Sequence, residues 1–450
     1  MLDVLIVGAG PVGSLLAGIL ATNGVNVGIV DHCKDDPQPR AMTVNARTAQ
    51  ILDTFDLRSS ILRQAPIMNA RFAGADVSLG MVDTPWPGQW PCEQSRLTAA
   101  LRHWAVGEGA RALWETRVTG ITRYSDPYAL VDTDSSETSL SARLVVAADG
   151  TDSSVRRTLA VPVIETAGQR TFITANVEAD ELPPHRFNQT PSGIVLSTGE
   201  IQGGLYRVMM YLPPDIATYA VRPQDVPDIW HLATGTSFTG TIVSTTFQTD
   251  GYRSAPMAPY PRVVLLGDAA HTQLPVGGCS LNYGLEDAFA LAWRIPEVLE
   301  TSDTSGFRQF ALERDHAWQR MQGILQSEID ERYPTSDPRG RIIKPDVDAA
   351  DFLSGVDIDY SPSNTGAGGL FGWPANLPSD ARALVQNAQR TLRHTSIGSV
   401  RPDDNSSGDA VLAAEADRRL EDLRPPDTDN SALIRPDGII VTVAHASRED

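Results

Sequence analysis

The sequence predicts an α/β protein with three parts: a nucleotide domain built on a parallel sheet, a second domain built on an antiparallel sheet, and a small C-terminal domain. Three observations carry the prediction. Residues 3–7 are an apolar run followed at once by Gly8-Ala9-Gly10-Pro11-Val12-Gly13, a helical stretch over 11–23 and a second apolar run over 25–30. That is the strand, tight turn, helix and strand of a βαβ unit. Residues 170–177, 193–196, 205–212 and 239–247 are short β-like runs within one block, the pattern of an antiparallel sheet. Residues 262–266 then give another buried, parallel-type strand, so the chain leaves the nucleotide domain and returns to it.

At 450 residues the chain is long enough for two or three cores. Its 41% apolar and 21% charged residues suit a globular protein, and 31 prolines with 36 glycines imply many turns. A formal net charge of −19 repels phosphate backbones and anionic lipid, which argues against nucleic-acid and membrane partners. Cys33, Cys92 and Cys279 are odd in number, far apart and without a Cys-x-x-Cys. Neither a disulfide framework nor a metal site is expected, and a reducing cytoplasm is the expected compartment. The apolar stretch at 4–21 looks like a signal peptide or membrane span by hydropathy. No Lys or Arg precedes it, however, and glycines at 8, 10 and 13 break it where a strand must turn into a helix.

Further along, Ala46, Ala49, Ile51, Leu52 and Phe55 fall at helical spacing within 37–62, and 97–106 is a second helix. Residues 144–148 are a strongly apolar strand, and 282–299 a helix that Pro296 kinks or ends. Residues 338–365, rich in Asp, Pro, Ser and Gly, are expected to be a linker or mobile loop. The expected division is 1–70, 93–168 and 256–337 for the discontinuous nucleotide domain, 71–92 with 169–255 for the second domain, and 366–450 for the third.

Three motifs carry chemistry. In the first, Gly8, Gly10 and Gly13 permit a tight turn and the close approach of a pyrophosphate to the positive end of a helix. Asp31, at the end of the second strand, can accept hydrogen bonds from adenosine ribose hydroxyls. The second is an apolar strand ending in Asp149-Gly150 and leading through Thr151-Asp152-Ser153-Ser154 to Arg156, which is also what an ordinary strand-turn-helix connection looks like. The third is Gly267-Asp268-Ala269-Ala270-His271, then Pro275-Val276-Gly277-Gly278-Cys279-Ser280-Leu281-Asn282 and a helix with Asp287. A carboxylate there can take a ribityl hydroxyl. The glycines bring backbone amides and a helix N-terminus towards a flavin ring, where they favour negative charge on the reduced ring.

In combination and order, these motifs resemble the class A flavoprotein aromatic hydroxylases, the para-hydroxybenzoate hydroxylase group, over roughly residues 2 to 300. Leu433-Ile434-Arg435-Pro436-Asp437-Gly438 is similar to the end of the bacterial aromatic-polyketide hydroxylases. The resemblance implies a Rossmann-type FAD-binding domain, an antiparallel-sheet substrate domain and a thioredoxin-like C-terminal domain, although this tail is shorter than the family's. It implies FAD as cofactor, NADPH or NADH as co-substrate, and O2 used through a C4a-hydroperoxyflavin to oxygenate an aromatic, polycyclic polyketide-type substrate in antibiotic biosynthesis. It leaves a homodimer open as the assembly.

Carried over by motif, Gly8, Gly10, Pro11, Val12 and Gly13 hold the pyrophosphate and Asp31 the adenosine ribose. Arg40 and Asp268 reach the phosphate and ribityl region, Gln94 and Val118 the cofactor, and Asp149 both FAD and NAD(P)H. Pro275, Gly278, Ser280, Leu281 and Asn282 surround the isoalloxazine. The family's Gly-Gly-Gln-Gly becomes Gly277-Gly278-Cys279-Ser280 here, which puts a side chain beside a flavin that must swing during turnover. Cys279 reads as a small residue tolerated in the loop rather than a covalent flavin anchor.

Since the flavin carries the chemistry, no side-chain nucleophile is needed. The catalytic candidates are His271, Arg207 and Tyr211. His185 and His231 could also meet a phenol, and Trp86, Trp90, Phe238 and Phe247 could line an apolar pocket, with core packing as the default reading of each. Baeyer–Villiger insertion or epoxidation on the same scaffold, an FAD-dependent reductase or dehydrogenase, and a flavin-binding accessory protein are the competing functions.

Overall fold

The structure is a computed structural model of the whole chain. Outside its described residues lie 35–42, 73–74, 83, 125–127, 135–138, 169, 214–221, 273–277, 333–348, 356–389, 391–394, 399–411, 414–429, 435–439 and 446–450.

The N-terminal βαβ unit is β1 (Leu2–Val7), α1 (Pro11–Thr22) and β2 (Val27–Val30). Val4, Leu5 and Ile6 are fully buried, because helices cover both faces of a parallel sheet. After them come α2 (Ala46–Thr54), α3 (Gln94–Gly107), β3 (Arg111–Leu113), β4 (Val118–Arg123), β5 (Ala129–Thr133) and β6 (Ser139–Ala147). Of these, α2 is capped by Asn45, whose side chain accepts from the Thr48 N–H, and α3 packs along α1. The apolar strand expected over 144–148 is the buried end of β6.

A second sheet begins with β7 (Thr171–Glu178) and continues through β8 (His185–Gln189), β9 (Val195–Gln202) and β10 (Leu205–Leu212). The helix α4 (Val226–Thr234) follows, then β11 (Thr241–Thr249). Its order is β8-β9-β10-β7-β11, antiparallel throughout. One face, with Ile173, Val208 and Met210, packs on Trp230 of α4 in a core of its own.

The chain then returns through β12 (Val263–Leu265), which pairs in parallel with β6. The first sheet thus reads β3-β2-β1-β6-β5-β4, with β12 beside β6. This is the mixed α/β architecture expected. The hairpin Asn69–Phe72 with Ala75–Ser78 joins neither large sheet. Thr395–Gly398, Leu412–Ala413, Asn430–Ile434 and Ile440–His445 form a four-stranded antiparallel sheet.

Two expectations are corrected. The helix expected over 282–299 is two: α5 (Cys279–Ala292) and α6 (Arg294–Thr301). The break falls at Trp293 rather than at Pro296, which sits in the first turn of α6 where its missing N–H costs no hydrogen bond. The linker expected over 338–365 contains a helix, α8 (Ala349–Ser354). Its Phe352 and Leu353 are buried against Phe72, Leu79 and the preceding long helix α7 (Ser305–Arg332), and Phe352 lies 5.4 Å from Phe72, ring to ring. The remainder of 338–365 lies outside the described residues.

Among the described residues, no helix is long and apolar enough to cross a membrane. The apolar 4–21 stretch is divided between β1 and α1.

Trp230, 1% exposed at the centre of the second core, fixes the scale of that core's stability. Trp230→Ala is expected to destabilise the protein by about 3–5 kcal/mol in urea denaturation.

Candidate functional site

The turn between β1 and α1 is set by contacts that only glycine tolerates. Gly8 has φ +98°, and a Cβ there would lie 2.4 Å from the Ala148 carbonyl oxygen. A Cβ on Gly13 would lie 2.0 Å from the Gly8 carbonyl oxygen. At Gly10, the N-cap of α1, an added Cβ meets no protein atom within 4 Å, and no side chain caps the helix. The first two glycines answer to the protein's own packing, and the third leaves open space at the positive end of a helix. This is a cradle that a phosphate fits.

Beside it, Asp31 at the end of β2 takes the Ala9 N–H at 2.6 Å on Oδ2 and the Cys33 N–H at 2.8 Å on Oδ1. Both carboxylate oxygens are held in place, with lone pairs to spare for ribose hydroxyls. Asp149, whose Cα would lie 2.8 Å from a Cβ on Gly8, spends Oδ2 on the Ser154 N–H, the Ser154 hydroxyl and the Val155 N–H. Its Oδ1 is buried with no partner, an orphaned acceptor next to the turn. The residues present therefore fit a dinucleotide.

The third motif is organised around Asp287 of α5, which is fully buried. Oδ2 accepts the Gly267 N–H at 3.1 Å and meets His271 Nε2 at 2.8 Å; Oδ1 accepts Arg314 Nε–H at 2.7 Å. Burial alone would raise the pKa of this carboxyl, but the Arg314 guanidinium and His271 together hold it below the usual carboxylate value. His271 is thus engaged in a buried ion cluster, 6.2 Å from the Trp318 ring. Asp268 follows Gly267 directly and is partly exposed, with the Thr151 hydroxyl 3.4 Å from its Oδ2.

Gly278 is the left-handed N-cap of α5, again without a side-chain cap. The Asn282 side chain donates to the Gly278 carbonyl at 2.7 Å and accepts from the Asn45 N–H at 3.0 Å and the Thr48 hydroxyl at 2.6 Å. It ties the start of α5 to α2. The buried Arg47–Glu286 pair, at 2.9 and 3.1 Å, doubles that tie. Ser280 and Leu281 are half-buried in the first turn of α5. Cys279 is buried, and burial pushes its thiol up to about 12, which keeps it protonated and a poor covalent anchor.

On the second sheet, Arg207, Met209 and Tyr211 share the face of β10 away from α4. Tyr211 packs at a tilt on Phe172, 4.5 Å between ring centres, and with Val195 and Ile329 of α7. Arg207 Nε–H donates to Asn176 Oδ1 at 3.2 Å, and Asn176 donates to Ser244 at 2.8 Å. Burial pushes the Arg207 guanidinium below its ordinary pKa, and the facing Glu93 carboxylate opposes the shift. Since Glu93 precedes Gln94 at the start of α3, this face of the sheet is turned towards the nucleotide domain. Sequence reasoning had no signal for Glu93.

Other candidates lie elsewhere. Phe238 and Phe247 pack on the Trp230 core, on the opposite side of the sheet, and His185 faces Trp230 at 6.0 Å. His231 is exposed on α4. Trp86 and Trp90 flank the main core, with the Arg58 guanidinium 3.5 Å above the Trp86 ring. Val118 is buried at the start of β4. Arg40 and Pro275 lie outside the described residues.

Comparison with known proteins agrees with this geometry. The FAD binding domain family model matches residues 1–323. A rifampicin monooxygenase of Rhodococcus hoagii is 30% identical over 66% of this chain and 64% of its own. A 6-methylpretetramide 4-monooxygenase of Streptomyces rimosus is 27% identical over 66% and 56%. An uncharacterized aromatic compound monooxygenase of Bacillus subtilis is 28% identical over 74% and 66%. The chain therefore spans less than two thirds of the length of these curated relatives. Among solved structures, AlpK superposes with a TM-score of 0.76 at 24% identity, covering 100% of this chain and 96% of that one. Aklavinone-11 hydroxylase, solved with FAD and aklavinone, gives 0.74 at 20% identity, covering 100% and 96%. At these identities the structures speak for the fold.

Two expectations follow. Gly10→Ala meets no clash and should leave the melting temperature of the apoprotein unchanged while weakening FAD binding at least about tenfold, read by flavin fluorescence titration. Asp287→Asn should cost about 3–5 kcal/mol at pH 7, because it leaves Arg314 and His271 without their anion. The folded Asp287 pKa is depressed, so its contribution is present above the ordinary carboxylate value of about 4 and is lost as pH falls through the folded value. Denaturation measured across that range should show the gap between wild type and variant closing in acid.

Proposed function

The chain belongs to the FAD binding domain family, and from that premise we propose that it is an FAD-dependent monooxygenase that uses NADPH or NADH and O2 to oxygenate an aromatic, polycyclic polyketide-type substrate. The observation that carries the reading is the open cradle at Gly10, between two glycines fixed by the protein's own packing, at the head of a 323-residue family match. The monooxygenase names of the curated relatives support the reaction class.

When bound, FAD supplies the reduction of O2 and the transfer of one oxygen atom to an electron-rich ring, the other atom leaving as water. The chain's own residues bind and orient. The N-terminus of α1 takes the pyrophosphate, Asp31 the adenosine ribose and Asp268 the ribityl chain. Leu281 and Asn282 offer backbone N–H groups at the start of α5, where the helix dipole favours negative charge on a ring edge. Asp287 holds the Gly267-Asp268 turn in place, and Asn282 holds α5 against α2.

The face of β10 turned towards Glu93 supplies the substrate wall. Met209 gives partly buried apolar surface backed by the packed Phe172–Tyr211 pair, and Arg207 gives a desolvated cation that holds a phenol oxygen as phenolate. A ring bearing a phenolate is more electron-rich than the neutral phenol, which suits it to accept an electrophilic oxygen.

The test is turnover with 18O2, NADPH or NADH and a panel of polyphenolic and quinone metabolites, read by mass spectrometry. One labelled oxygen atom per product molecule is expected, and the product's structure separates hydroxylation from epoxidation and Baeyer–Villiger insertion. Substrate-dependent NAD(P)H oxidation without O2 uptake would identify a reductase or dehydrogenase instead. A flavin that NAD(P)H cannot bleach with any member of the panel would identify an accessory protein.

A further inference from the structure

We propose that Arg102 is a cofactor-positioning residue that assembles the adenosine half of the FAD site, although it belongs to none of the three motifs. The inference rests on the FAD-binding reading of the site.

Arg102 sits on α3, the helix packed along α1. Its guanidinium reaches two pieces of chain that the sequence keeps apart, the glycine turn and the 31–34 stretch. Nε–H donates to the Ala9 carbonyl at 2.7 Å, Nη2 lies 3.5 Å from Asp31 Oδ2, and Nη1 donates to the Lys34 carbonyl. Ala9 is in the glycine turn and Asp31 ends β2. Lys34 is the last described residue before the segment that carries Arg40. The side chain is 10% exposed, like that of Asp31, and it lies 5.1 Å over the Trp114 ring.

These contacts have two physical effects. The first is orientation. The Ala9 N–H is committed to Asp31, and the Ala9 carbonyl to Arg102 and the Ser14 hydroxyl at 3.0 Å. The peptide groups on both sides of Ala9 therefore cannot rotate, and the turn keeps its shape before any ligand arrives. Pre-ordering of this kind raises affinity without a new contact to the ligand.

The second effect is charge. The site must bring a pyrophosphate close to the Asp31 carboxylate, and like charges in a half-buried cleft repel. In a chain of net charge −19, the Arg102 guanidinium lies 3.5 Å from Asp31 Oδ2, on the other carboxylate oxygen from His32 Nδ1 at 3.3 Å, and its permanent charge offsets that of Asp31. Its rigid fork spans three acceptors at once, which a lysine cannot do.

The experiment uses apoprotein stripped of FAD. FAD affinity is read by flavin fluorescence, and affinity for the adenosine half by competition with ADP. Arg102→Met should weaken FAD and ADP by the same factor, about tenfold or more given charge-assisted hydrogen bonds. The visible spectrum of FAD once bound should be unchanged, because the isoalloxazine end is untouched. Arg102→Lys should recover part of the loss and serves as the folded comparison if the Met variant is unstable. In an Asp31→Asn background, the Arg102→Met loss should shrink, since the two residues act as one unit.

FAD affinity of Arg102→Met within twofold of wild type overturns the proposal. So does a loss of FAD affinity with ADP competition unchanged, or one that merely tracks the melting temperature of the apoprotein across both variants. Wild-type apoprotein that takes up neither FAD nor ADP overturns the FAD reading itself, and the Arg102 inference with it. Wild type that binds both, with Arg102→Met unaffected, overturns the inference alone.

Discussion

The rest of the site depends on a single buried anion. Asp287 gathers a backbone N–H, an imidazole and a guanidinium from three different elements: the turn after β12, the short strand at His271–Thr272 and the helix α7. A carboxylate with no exposure is expensive to bury, and it persists because each oxygen has a charged or N–H partner. The arrangement leaves little slack. The Gly267-Asp268 turn must stay against α5 for the charge to remain paired, and α7 must stay against α5 for the same reason.

A similar logic recurs at other joints of the molecule. Asn282 and the Arg47–Glu286 pair fasten α5 to α2, and the buried Arg170–Asp250 pair, at 2.5 Å, closes the ends of β7 and β11. Polar groups are placed where two elements must meet in one register, and apolar groups fill the spaces between. Exposed pairs such as Arg222–Asp225 do not carry this duty, since water competes for them.

The sequence was most legible where chemistry constrains short stretches. The βαβ unit, the second sheet and the return through 262–266 could be read because glycine turns and strand periodicity are local signals. The glycine turn before α1 was legible for the same reason. The break at Trp293 was not, since Pro296 drew attention to a position where proline is harmless. Nor was α8, whose short helix gains its stability from Phe72 and α7 rather than from its own sequence. Arg102, Glu93 and Arg314 stayed hidden because each acts on a partner tens of residues away, and one sequence carries no record of such distances. Phe247 was ambiguous until the pleat of β11 put it on the α4 side of the sheet.

The three cysteines differ in a way that matters for a protein proposed to handle reduced oxygen. Cys279 sits in the first turn of α5 with its thiol pushed up to about 12 by burial, so at neutral pH it stays a thiol rather than the reactive thiolate. Cys92 is likewise buried and pushed up to about 11. Cys33 is exposed, two residues from Asp31, which accepts its N–H. Peroxide that escapes during turnover would meet two shielded sulfurs and one open one. Oxidative damage would therefore begin as a sulfenic acid at Cys33 and spare the sulfurs of Cys92 and Cys279.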